Sequence, residues 1–158
     1  MAKSAVERRK YTRYDTEMKL YFRVKYDIET KVKFRVLRSG SGKISFHRYS
    51  GLCRNVSAEG ICFSSRKRLQ KGERLLIEVF EPIVKSPVIM EGEVRWSRRD
   101  SEGGGRYGPF RTGVCLISVN GLPVADSVHL DKKYRVAWSV VLDSLFGNFA
   151  AMVRRLKK

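Results

Sequence analysis

The sequence is poor in the residues that build catalytic and metal centres. It holds two histidines and three cysteines, with no CxxC or other metal-ligand spacing. His47 and His129 have no local partner pattern and read as surface or structural side chains. Cys53, Cys62 and Cys115 stand in apolar, strand-like runs. They read as small buried side chains of a reduced, cytoplasmic protein. No run approaches the roughly 20 apolar residues of a membrane span. The opening MAKSAVERRKY lacks the apolar stretch of a signal peptide. The glycines at 103–105 lie between two strand-like runs, with no following helix and no GK[ST], which makes a hairpin loop rather than a phosphate cradle. Acids are scarce and no two stand out as an acid/base couple. These absences argue against an enzyme, a metal site and a resident cofactor. Internal repeats and low-complexity segments are lacking too.

What the chain has in excess is positive charge. Lys and Arg number 33 against 16 Asp and Glu, for a net +17 over 158 residues. The hydrophobic share, 42%, is ordinary for one globular domain. So basic a surface attracts phosphates, nucleic acids, anionic nucleotides or anionic lipid heads. The charge is densest in ERRKYTRYD, residues 7–15, which carries Arg8, Arg9, Lys10 and Arg13 with no apolar period. A guanidinium is a planar fork of donors that pairs bidentately with phosphate or with the O6/N7 edge of guanine, and its face stacks on a base. Arg9-x-x-x-Arg13 therefore suits a guanine nucleotide. By itself it equally suits a solvated basic tail.

Period-two alternation predicts a series of short strands. Leu20, Phe22 and Val24 alternate in MKLYFRVKY, and Val32, Phe34 and Val36 in KVKFRVL. SGSG at 39–42 is a turn before KISFHRY. The runs LCRNV, GICFSS, ERLLIEVFEP, VIMEGEVRWS and TGVCLISV follow, with RRDSEGGGRYGP as a loop. Such a series argues for an antiparallel barrel or sandwich. Trp96, in step with Val88, Met90 and Val94, reads as a core residue.

After Pro123 the spacing changes to threes and fours: Leu130, Tyr134, Ala137 and Trp138, Val141, Leu145, Phe149, Met152 and Leu156. This predicts an amphipathic helix capped by Asp126 or Asp131. Gly147 would sit inside it, and Arg154, Arg155, Lys157 and Lys158 would complement the negative end of its dipole.

A second polar element, Asn55-x-Ser57-x-x-Gly60, lies between two strand-like pieces. The amide both donates to and accepts from a guanine edge. Gly60 permits positive φ and a close approach to the backbone. Alone, the same residues describe a β-turn. RxxxR followed by [D/N]xSxxG resembles the PilZ domain family. EGEVRWS is similar to that family's glycine–valine–tryptophan strand, and FRTGVCLISV to its closing strand. The likeness runs from about Arg8 to Val119. It implies a six-stranded antiparallel β-barrel with a C-terminal helix, and a receptor for the bacterial second messenger cyclic di-GMP. Arg9 and Arg13 would clamp bases and phosphates, and Asn55, Ser57 and Gly60 would read a guanine edge. Arg8, just before the first motif arginine, implies two stacked cyclic di-GMP molecules per site. Lys10, Arg54, Arg95 and Arg98 are further cations for the phosphates. Asn stands where many relatives have Asp, and residues 14–54 make a longer gap than usual between the motifs, assigned to a long hairpin.

The expected organisation is a basic arm over residues 1–15, a barrel over 16–122 and a C-terminal helix over 123–158, packed on the barrel or on a partner. Ligand would order the arm, and an unidentified downstream protein would read the new surface. The chain would be a monomer, or a homodimer through its helix. Two rivals differ in class: a basic barrel that binds RNA or DNA, which the guanine-directed motif makes the weaker reading, and a PilZ-like adaptor that binds proteins without nucleotide.

Overall fold

The structure is a computed structural model that describes residues 11–25, 48–82, 86–100, 107–133 and 135–147. Six long strands carry it: β1 (Tyr14–Lys25), β2 (Tyr49–Val56), β3 (Gly60–Ser65), β4 (Arg74–Phe80), β5 (Val88–Arg99) and β6 (Phe110–Val119). They run antiparallel in the order β3-β2-β1-β4-β5-β6, and β3 pairs with β6, which closes the sheet into a barrel. A short β7 (Leu122–Pro123) folds back on β6. Closure removes the unpaired edges that an open sheet of this composition would expose.

The alternation read from the sequence is the reason the barrel fills. Leu20 and Phe22 of β1, Leu75, Ile77 and Val79 of β4, and Val88, Met90 and Val94 of β5 all point inward and are buried. Phe22 packs on Phe63 at 4.9 Å and stacks on Tyr49 at 5.3 Å. Each such side chain contributes about 1.5–3 kcal/mol by leaving water. The outward partners Lys19, Arg23 and Lys25 stay in solvent. The strand-like runs between 26 and 47, together with His47 and the glycines at 103–105, lie outside the described residues.

The segment after Pro123 departs from expectation. A 3-10 turn (Ala125–Ser127) leads into a separate hairpin, β8 (His129–Asp131) and β9 (Val136–Trp138), before helix α1 (Val140–Phe146). Leu130 pairs across the hairpin with Ala137 and is 63% exposed, so its helical spacing from later apolar residues is coincidental. Three local features set this outcome. Arg135 takes a left-handed φ of 54° at the hairpin tip. The Asp131 carboxylate accepts from Lys133 N–H, a turn contact rather than a helix cap. Ser139 is extended, and its Oγ accepts from Val141 N–H, which makes it the N-cap. Gly147, expected inside the helix, is instead its C-cap with φ 82°. α1 buries Val141, Leu142 and Leu145 against the barrel. Residues 148–158 lie outside the described residues.

Candidate functional site

Two β-bulges shape one stretch of the outer wall. The first is at Arg54. Cys53 faces Phe63, but Asn55 faces Cys62, so one extra residue enters β2. The inward series Gly51, Cys53 resumes at Val56, and Asn55 is left on the outer surface. The strand then turns, with Ser57 N–H donating to Gly60 C=O at 2.9 Å, and Leu116 N–H donating to Glu59 C=O at 2.8 Å to pin the turn to β6. Gly60 does not take up the positive φ open to it. Its value is clearance: a Cβ there would stand 3.1 Å from Val114 O and 3.4 Å from Ser57 Oγ.

The second bulge lies between Val94 and Trp96 in β5. It reverses the alternation, so Ser97 turns inward to bond Thr112 Oγ1 at 2.9 Å and to accept from Leu69 N–H at 3.1 Å. Trp96 turns outward. It is therefore not the core residue its spacing suggested. Its indole lies across the bare backbone of Gly113, where a Cβ would meet the ring at 2.4 Å. The Arg98 guanidinium sits 4.6 Å from the ring centroid.

Between the bulges is a groove of about 730 Å³. This lies within the range of about 300–1,000 Å³ usual for small-molecule sites. Arg13, immediately before β1, lines it with Asn55, Ser57 and Gly60, as do Arg95, Trp96 and Arg98. The pairing of Asp15 with Asn55 explains why Arg13 meets the second motif. Tyr11, Glu59, Gly113 and Cys115 are also in the lining, in ways the sequence reading did not anticipate. The signal available for Trp96 was Gly113, a glycine inside a strand, which marks a close approach. Arg54 is engaged beside the groove, its Nε donating to Ser64 Oγ at 3.0 Å. Arg8, Arg9 and Lys10 lie outside the described residues.

The groove is cationic. Among the described residues the ion pairs are Lys25–Glu91, Arg48–Glu78 and Arg111–Asp100, and none involves Arg13, Arg95 or Arg98. Burial pushes the Cys62 thiol up, while the guanidiniums of Arg111, Arg13, Arg98 and Arg54 pull it partly back. Burial, aided by Cys62, raises Cys53 as well. Both are neutral thiols at ordinary pH. Among the described residues no cluster of His, Cys, Asp and Glu is suited to hold a metal, and no helix is long and apolar enough to cross a membrane.

Residues 7–120 match the PilZ domain family. The chain belongs to the PilZ family. PilZ domains are ligand-binding and adaptor domains. The fold is also that of the Bacillus subtilis inhibitor of motility, MotI/DgrA, with a TM-score of 0.54 at 16% identity. That likeness takes in 96% of this chain but 53% of the other, so this PilZ chain spans about half the length of that protein. Comparison with curated proteins yields no match.

Proposed function

We propose that this PilZ protein is a cyclic di-GMP receptor that signals to a partner protein. The observation that carries the reading is the groove itself. Arg13 of the first motif and Asn55, Ser57 and Gly60 of the second line one cavity, together with Arg95 and Arg98, for which no ion-pair partner appears among the described residues. These groups match the ligand's chemistry. Guanidiniums hold phosphates and the O6/N7 edge of guanine, and the Asn55 amide and Ser57 hydroxyl offer short, directional hydrogen bonds. Trp96 offers an indole face on which a purine stacks.

In this reading the arm ends where β1 begins at Tyr14, and its basic stretch brings Arg8 and Arg9 onto the groove beside Arg13 when ligand arrives. Two stacked molecules double the phosphate charge to be neutralised, and Arg8, Lys10, Arg54, Arg95 and Arg98 supply the balance. The arm, once gathered on the barrel, presents a changed surface to the downstream protein.

The test is calorimetric. Arg9→Ala and Arg13→Ala are expected to abolish binding without altering the melting transition, and Arg8→Ala to lower the ligand:protein ratio from two to one. Wild-type affinity in both Arg9→Ala and Arg13→Ala would overturn the site. An unchanged ratio in Arg8→Ala would overturn the stacked pair alone.

A further inference from the structure

We infer that helix α1 is the output element of the groove, so that ligand occupancy fixes α1 on the barrel and release loosens it. The inference rests on the cyclic di-GMP reading of the groove, and concerns what that site controls.

Two features of the geometry carry it. In each of the two motif segments of the site, a groove-lining residue is followed directly in sequence by one that grips α1. Ser57 lines the groove, and the next residue, Ala58, is buried with its carbonyl accepting from Ser139 Oγ–H. Ser139 Oγ at the same time accepts from Val141 N–H at 3.1 Å, so one hydroxyl both caps α1 and ties it to the motif turn. Arg13 lines the groove, and the next residue, Tyr14, is buried with its ring edge-on to Phe146 of α1 at 6.3 Å. The two grips hold opposite ends of the helix.

α1 is well suited to respond. Its seven residues are too few to be stable alone, so the helix depends on its docking. The Ser139 hydroxyl is buried and has two partners, the Ala58 carbonyl and the Val141 amide. A ligand that pulls on Ser57 or Gly60 shifts the Ala58 carbonyl. The cap must then follow or lose a buried hydrogen bond, and leaving such an acceptor unpaired is costly. A ligand that draws Arg13 into the groove likewise sets where Tyr14 meets Phe146. Occupancy and docking of α1 are thus linked, and linkage is reciprocal. Whatever factor ligand adds to docking, docking adds to ligand affinity.

The experiment is amide hydrogen exchange on the full chain, with and without saturating cyclic di-GMP. The reporters are the amides of residues 143–147, which close the helix from Asp143 N–H on Ser139 C=O at 3.0 Å to Gly147 N–H on Asp143 C=O at 2.9 Å. Ligand is expected to slow them about tenfold more than it slows the amides of β4, which lies away from the groove. Ser139→Ala and Phe146→Ala are expected each to weaken cyclic di-GMP binding at least fivefold while the barrel stays folded. Binding to the wild-type chain with α1 and β4 amides slowed equally, or not at all, overturns the inference and leaves the receptor reading intact. Absence of binding to the wild-type chain overturns both. The wild-type comparison decides the matter even if a variant fails to fold.

Discussion

Adding one methyl group to Gly113 tests how the groove is built. A Cβ there would stand 2.4 Å from Trp96 Cε2 and Nε1 and 2.7 Å from Cζ2. Carbon contacts settle at about 3.5–4.0 Å, so the ring must retreat by roughly 1 Å or more. The obstacle is a rigid indole covered by the Arg98 guanidinium at 4.6 Å, not the end of a flexible chain. Overpacking of this kind costs about 1–3 kcal/mol. At roughly 2–4 °C per kcal/mol for a chain of this length, Gly113→Ala lowers the melting temperature by several degrees. The displaced indole also ceases to offer a flat platform. Base stacking is worth about 1–3 kcal/mol per base, so under the proposed receptor reading cyclic di-GMP affinity is expected to fall about 5- to 150-fold. The assay is intrinsic fluorescence with acrylamide quenching. The chain has two tryptophans, and Trp138 is 1% exposed, so the quenchable signal reports on Trp96. Quenching rises in Gly113→Ala as the ring lifts from the wall. An unchanged melting temperature with unchanged quenching would refute the placement of Trp96 on Gly113.

Other perturbations separate the remaining parts of the account. Leu130→Ser should change stability by less than about 0.5 kcal/mol, because Leu130 is 63% exposed on the β8–β9 hairpin; a loss of 2 kcal/mol or more by urea denaturation would restore the buried-helix reading of this segment. Phe22→Ala, which removes the ring that packs on both Phe63 and Tyr49, should cost about 3–5 kcal/mol in the same assay. Burial raises the folded-state pKa of Cys62, Cys53 and Tyr14. Their protonated forms are favoured in the fold, so the unfolded chain ionises first as pH rises. Stability is then full below about pH 9 and declines above it. A denaturation midpoint that stays flat from pH 8 to pH 10.5 would contradict this.

Much of the barrel was legible because a strand with one wet face must alternate, and nothing else in Leu20-x-Phe22 or Leu75-x-Ile77-x-Val79 competes with that pattern. Closure of β3 on β6 is a long-range pairing that no local pattern states. The two polar motifs were legible as residue types. Their meeting depends on the register of Asp15 with Asn55, which is a property of the folded sheet. Trp96 was misassigned because alternation assumes an unbroken ladder, and one extra residue after Val94 reverses it. The C-terminal segment was misread because spacings of three and four also arise by chance in a hairpin. What separates the two outcomes is a left-handed Arg135 and an extended Ser139, single-residue choices made by tertiary packing rather than by periodicity. At Gly60 the residue type alone allowed either a positive φ or a close approach to the backbone, and the fold uses the close approach.

The charge of the chain, +17, makes weak binding to any polyanion expected at low salt. The claim that matters is narrower, and it is tested by titrating the full chain with cyclic di-GMP at 0.3 M salt (on the order of twice physiological ionic strength), with cyclic di-AMP as the matched control. Guanine-directed arginines and a directional amide predict saturable heat for cyclic di-GMP that survives the salt, and none for cyclic di-AMP. Equal binding of both dinucleotides, or heat that vanishes at this salt, would contradict the account.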